Sequence, residues 1–457
     1  MQTAHEITAE TETENDDVHN SSSSHDGKVI PQFPPKRSSY LLFSSGTFAN
    51  SVQNSRDSPV TVELPFTENY PRKIVMPFSL LNKDKSQRSP SLDEGIQIMK
   101  LFPGCVHVKH LPPYLILVVK PMPNTRLPNA VADIPCYITE SETDLGPVGG
   151  INCHGPPCQG GMKFELWRLP RHEVRRSILQ ELLPLGVRSL GWVGTRWLMV
   201  ADMPEESAVR VLPRKIGNMI ASFLPHKRHH DRSLRLLSPS TDTYDNSDYY
   251  PALHAGMMVT DTNVFTTTGV PLVHPSSPTA RFFTVPEHGF LNLPRVIHPS
   301  PIVGHVVGQI WKIFPHTDIA LAKITDPNVT LSAETFAGAQ GTTKLTRLAD
   351  QTETHIGQEL FMDSPFTGLG EGYMYVSDIA AIPTDEPAVQ PRAYIASLWV
   401  NFGNQLPDPV DGCCGSPLWD CDGKVHAFFR YYRDESGISY CPAPDPLINE
   451  GYELRDC

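Results

Sequence analysis

The chain has 457 residues and a formal net charge of −12, so it is too long for one compact core, and two or three folding units are expected. The acidic balance excludes a general basic field for gripping phosphate backbones, and no general nucleic-acid binding is expected. Forty-four prolines, 31 glycines and only 19% charged residues favour short extended segments and turns over long helices.

Residues 1–6 (MQTAHE) open a polar, acidic stretch without the apolar core of a secretory signal. The expectation is an intracellular protein, cytoplasmic or nuclear and not secreted, whose nine cysteines stay as free thiols. Residues 1–70 carry TETENDD, a serine run and Pro34-Pro35 with few large apolar side chains, the composition of a disordered tail. From Gly95 onward, IQIMKLF, YLILVVK and MKFELWRL read as strands separated by Pro and Gly. The apolar run YLILVV is far shorter than the roughly 20 residues that cross a bilayer, and no membrane span is expected.

Residues 171–185 place Val174, Ile178, Leu179 and Leu182 at helical spacing until Pro184 and Gly186 stop the run. VRSLGWV and TRWLMVAD follow as strands, and Pro204 opens a second helical stretch towards Phe223 that contains Pro213. Together residues 95–225 form a small α+β domain of unknown role, a candidate surface for a protein partner. Within it Cys153, His154 and Cys158 could supply half of a zinc site; without a second ligand pair at typical spacing the bland reading is a structural loop. Residues 226–255 are polar and without apolar period, the natural linker; the basic run His226 to His230 fits a solvated linker better than a nucleic-acid contact. Beyond it, NVFTTTGVPLVH, ARFFTV, IVGHVVGQIWKI, DIALAKI and KVHAFFRYY alternate with turns, as in an all-β sandwich or barrel. This 256–457 unit is expected to fold on its own when the chain starts near residue 247.

Three segments of that unit carry chemistry. FFTVPEHGF contains His288, TDIALAKI contains Asp318, and DGCCGSPL contains the adjacent Cys413 and Cys414. Together they resemble, in order, the base, orienter and nucleophile segments of chymotrypsin-like peptidases over roughly residues 256–435. Cysteine stands in the serine's place, as in the picornavirus-type cysteine proteases. The resemblance implies a chymotrypsin-like double β-barrel following the α+β domain and the tail, with His288, Asp318 and Cys414 as catalytic residues. It further implies an oxyanion hole from the amides of Gly412 and Cys414, and Asp422-Gly423 as the turn of the hairpin after the nucleophile. Phe429, Arg430, Tyr431 and Tyr432 lie where such an enzyme lines its substrate pocket. At His288 the family's small-residue run is replaced by Val285-Pro286-Glu287, and Gly289 stands where its cysteine would be.

A lone buried cysteine is more often structural, a turn histidine is common in a chain with 18 of them, and an aspartate before a strand often only caps a turn. The ordered set favours the catalytic reading, with His298, His305 and His316 as rival histidines. The expected function is an intracellular cysteine endopeptidase acting on a polypeptide substrate without a cofactor. The alternatives are a catalytically silent binding module and a protease that cleaves only itself.

Overall fold

The computed structural model describes residues 43–44, 70–146, 149–225, 252–262, 264–290, 294–300, 304–335, 342–382, 393–402, 411–433 and 438–455. Apart from Phe43, Ser44 and Tyr70, the tail expected over 1–70 lies outside them, as does most of the 226–255 linker. The last four linker residues are a strand, Ala252–Ala255, paired parallel with Thr330–Thr335. The described chain is mostly β.

Two strands expected near the start of the folded region do not form. IQIMK lies in the helix Leu92–Lys100 because Ser91 builds a capping box: its hydroxyl accepts from the Glu94 amide (3.4 Å), and the Glu94 carboxylate accepts from the Ser91 amide (2.7 Å). MKFELWRL is irregular. Phe164 exchanges both backbone hydrogen bonds with the side-chain amide of Asn218 (2.7 and 3.0 Å), and its ring meets Trp197 edge-on at 5.2 Å. Apolar side chains there are buried by aromatic packing without a strand partner. The second helix covers only Glu205–Val211, since Leu212, held extended at ψ 143, precedes Pro213. Strands Lys215–Ile216 and Met219–Pro225 occupy what was expected to be its continuation.

The first helix of the middle region holds where the periodicity puts it, over His172–Leu182, with a 3-10 turn Leu183–Leu185 and a left-handed Gly186 (φ 81°) closing it. It buries Ile178, Leu179 and Leu182 against the strand Val187–Trp192 and the long strand Gly368–Ile382.

The separation expected between residues 95–225 and 256–457 is not what the backbone does. Val187–Trp192 pairs antiparallel with Gly368–Ile382, Trp192 opposite Ser377 and Ser189 opposite Ala380. One sheet therefore runs from Lys215–Ile216 through Met219–Pro225, Arg196–Ala201 and Val187–Trp192. It continues into Gly368–Ile382, Glu359–Ser364, Pro417–Trp419, Lys424–Phe428 and Arg347–Leu348. A single apolar core, from Leu179 and Trp192 to Cys414 and Phe429, lies under it. A second sheet links Phe265–Thr267, Met258–Thr260, Arg295–His298, His305–Phe314, Ile319–Ile324, Ser277–Pro286, Pro271–His274 and Glu453–Leu454.

The joint carries a buried cation. Arg175, on the helix, is fully buried, donating from Nη1 to the Ser377 hydroxyl (3.2 Å) and from Nη2 to Gln351. Burial lowers its pKa to about 10 and raises those of the nearby Asp378 and Asp445 carboxyls to about 6, while the opposite charges partly offset each shift. A chain beginning near residue 247 would lack both the paired strand and this cation, leaving the Asp378 and Asp445 carboxyls buried without its opposing charge. Such a fragment should show no cooperative thermal transition by circular dichroism. A melt at the full-length midpoint would show that the joint contributes nothing.

Candidate active site

The register of two strands brings the candidate base and its orienter to one edge. Ser277–Pro286 pairs antiparallel with Ile319–Ile324, with Pro286 opposite Ile319. The residues just beyond this pair, the 3-10 turn Glu287–Phe290 and the turn ending at Asp318, therefore meet. Thr317 fixes the second turn: its hydroxyl donates to the Phe314 carbonyl (2.8 Å) and accepts from the Ile319 amide (3.0 Å). His316 and Asp318 both adopt left-handed backbone, φ 66° and 62°, a conformation Asp and His tolerate better than most side chains.

Asp318, with 4% of its side chain exposed, spends its acceptors on the histidine turn. Oδ2 accepts from His288 Nδ1 at 2.6 Å, Oδ1 accepts from the His288 amide at 2.9 Å, and the Asp318 carbonyl accepts from the Glu287 amide at 2.9 Å. A carboxylate on Nδ1 fixes the proton there and leaves Nε2 to accept one. The neighbouring Glu287 carboxyl is raised, first by burial and then by the Asp318 charge, against the opposing pull of Arg430, His316 and His288.

The cysteine loop docks on the other sheet's first strand. The Cys414 carbonyl accepts from the Thr267 amide (3.1 Å) and the Gly412 carbonyl from the Thr267 hydroxyl (2.7 Å). Gly415 is required at this contact. At φ 91°, a Cβ on it would stand 2.4 Å from the Thr267 carbonyl oxygen and 2.5 Å from Pro286 Cδ, so the loop presses directly on the strand that ends at the histidine turn.

The two adjacent thiols face different surroundings. Cys413 Sγ, buried, accepts from the Ser364 hydroxyl (3.3 Å) and lies 3.6 Å from the Thr367 hydroxyl. Cys414 Sγ donates to the Arg430 carbonyl at 3.1 Å. Arg430 in turn reaches Asp318, Nε to Oδ2 at 3.6 Å, and donates from Nη1 to the His316 carbonyl at 3.1 Å. His288 and Asp318 are thus joined directly, and Cys414 joins them through Arg430. Asp318 and Cys414 both also raise the phenol of Tyr431, whose shift comes mainly from burial. A narrow cleft beside them is lined by Thr284, Asp318, Gly415, Phe429, Arg430 and Pro442, among others.

Of the four residues expected to line a substrate pocket, Phe429 borders this cleft, although its side chain is 3% exposed and its ring lies 6.4 Å from that of Phe402. Its backbone pairs with the cysteine loop, donating to the Ser416 carbonyl (2.8 Å) and accepting from the Gly415 amide (2.9 Å). Arg430 faces Asp318, Tyr431 is exposed, and the side chain of Tyr432 lies outside the described residues. The hairpin around Asp422 and Gly423 forms, with Pro417–Trp419 against Lys424–Phe428 and Gly423 at φ 75°. Of the rival histidines, His298 is buried with Nδ1 bonded to the Met258 carbonyl (2.7 Å), His305 begins an exposed strand end, and His316 offers Arg430 its carbonyl. A second Asp–His pair, Asp420 and His426 at 2.9 Å, is buried beneath that hairpin, with Thr354 on the far ring nitrogen (2.9 Å).

No protein-family model matches the sequence, and no curated protein matches it. Among solved structures the chain is similar to a glutamic-acid-specific serine protease, at 12% identity and TM-score 0.35 over 44% of this chain and 100% of that one. It is similar to a Nocardiopsis protease at 15% identity and TM-score 0.32 over 45% and 99%. It is also similar to Thermobifida fusca protease A at 16% identity and TM-score 0.32 over 45% and 100%.

Asp363, one residue before Ser364, is a group the sequence reading passed over. It is 5% exposed, and burial raises its carboxyl to about 7 against a weaker lowering by the Ser364 backbone. A raised carboxyl means that the folded state holds the proton more tightly than the unfolded one. Stability is therefore greatest below about pH 4, falls as pH climbs towards 7, and is flat above. Asp363→Asn should stabilise the protein at pH 8 by roughly 1–4 kcal/mol and change little at pH 4, measured by urea unfolding at both pH values. An equal effect at both would remove the titration account.

Proposed function

We propose that this protein is an intracellular cysteine endopeptidase on a chymotrypsin-like double β-barrel. The two sheets that meet at the cysteine loop are its two halves. The observation that supports it best is the 2.6 Å bond from His288 Nδ1 to the buried carboxylate of Asp318, in a chain whose order is His288, Asp318, Cys414. In this reading His288 Nε2 takes the proton from Cys414 Sγ, and the thiolate attacks the scissile carbonyl carbon. The tetrahedral oxyanion is held by the amides of Gly412 and Cys414. The C–N bond then breaks, His288 returns its proton to the leaving amine, and a water activated by the same nitrogen releases the acyl group and restores the thiol. For the first step the Cys414 thiol leaves the Arg430 carbonyl for His288.

That resting contact favours a second reading, a catalytically silent binding module. Peptide-library cleavage by purified full-length protein separates the two. Cys414→Ala and His288→Ala should each lower turnover by at least about 10²–10⁴-fold, the range a positioned general base supplies. Cys413→Ala should leave most activity. Intact mass of Cys414→Ala against wild type detects self-cleavage. No peptide bond cut by the wild type, in the library or in itself, would leave the binding module.

A further inference from the structure

Arg430 was expected to line a pocket; it borders the cleft, and its side chain also reaches Asp318. Three of its contacts bear on the candidate base. Its Nε lies 3.6 Å from Asp318 Oδ2, the same oxygen that accepts His288 Nδ1 at 2.6 Å. Its Nη1 donates to the His316 carbonyl at 3.1 Å, tying it to the turn that ends at Asp318. Its guanidinium stacks 4.3 Å over the Tyr431 ring, which fixes its plane. The three contacts hold a permanent cation against a carboxylate that is 4% exposed.

We propose that Arg430 is a positioning residue that shares Asp318 with His288: it anchors the carboxylate and offsets part of its charge, so that less of the carboxylate's pull reaches the imidazole. The proposal rests on the reading of His288 and Asp318 as base and orienter. An unshared buried carboxylate stabilises imidazolium, and a guanidinium on the same oxygen weakens that pull without taking the hydrogen bond. Among the described residues, the titratable groups around this pair include Glu287 from the histidine's own turn and His316 from the Asp318 turn, with Cys414 and Tyr431 of the opposite sheet around Arg430. Glu287 favours imidazolium and His316, when charged, opposes it, so Arg430 is the constant cation of the set. The arrangement ties both sheets to one carboxylate. Arg430 follows the strand Lys424–Phe428 of one sheet, whereas Asp318 and His288 flank paired strands of the other.

The test is the titration of the His288 ring by NMR in the full-length protein, assigned by the signal lost in His288→Gln. In Arg430→Gln the midpoint should rise by about half a pH unit or more, roughly threefold in proton affinity. Arg430→Lys, which keeps the charge, should stay nearer the wild type, and it serves if the Gln variant does not fold. In an Asp318→Asn background the Arg430→Gln shift should vanish, since Arg430 acts through that carboxylate. An unchanged or lower midpoint in a folded Arg430→Gln, a Lys variant matching the Gln variant, or a full shift surviving Asp318→Asn would overturn the proposal. If the protein cleaves peptides, the acid limb of its pH–rate profile should move up with the NMR midpoint, and a limb that stays fixed would count against it. If no peptide is cleaved but the midpoint moves as described, the peptidase reading falls and the role of Arg430 stands.

Discussion

One buried carboxylate organises the candidate site. Asp318 accepts from the side chain and the backbone of His288, gives its own carbonyl to Glu287, and lies beside the Arg430 guanidinium. A carboxylate removed from water is costly unless its oxygens are satisfied, and here the satisfaction comes from segments that must be in place together. The turn at His316 to Asp318, the turn at His288 and the strand end at Arg430 are held by this one group. Its left-handed backbone is part of the same constraint, because it aims the carboxylate at His288 while the chain turns into Ile319–Ile324.

The second constraint is the sheet continuity that joins the middle region to the half that carries the candidate site. Gly368–Ile382 pairs from Tyr373 to Ile382 with Ala393–Asn401 on one side. On the other it divides between Glu359–Ser364 and Val187–Trp192. Without Val187–Trp192, part of a long strand would present unpaired amides and carbonyls. The helix His172–Leu182 then covers this junction with an apolar face and the buried Arg175. The middle region thereby supports the scaffold of the cysteine loop, since Glu359–Ser364 leads directly to the Ser364 hydroxyl on Cys413.

What could be read from the sequence was what local chemistry determines. His288, Asp318 and the DGCCGSPL loop sit at strand ends and in a tight turn, and the short segments around them carry the resemblance that singled them out. The Asp422-Gly423 hairpin and the helix at 172–182 are equally local. The helix Leu92–Lys100 could have been read too, from the S-L-D-E capping box, but the short run IQIMK has too few residues for its apolar period to separate helix from strand. Contacts between segments far apart in the chain were not legible. The pairing of residues 189–192 with 377–380, the burial of Arg175 against Ser377 and the approach of Arg430 to Asp318 are set by register and packing. Phe429 borders the cleft, as its sequence position implied, whereas the packing of its ring near Phe402 is a matter of contacts far apart in the chain.

The central claim is that Cys414, and not its neighbour Cys413, is the thiol served by His288. The most direct measurement is the rate of iodoacetamide alkylation at each cysteine, followed by peptide mass spectrometry on the native protein at pH 6. Free thiols titrate near 8.5 and react slowly there. Cys414 should be modified first and should slow to the rate of the other thiols in His288→Ala, while Cys413 stays unmodified in both proteins. Equal labelling of the two cysteines, or labelling of Cys414 that is indifferent to His288, would contradict the account.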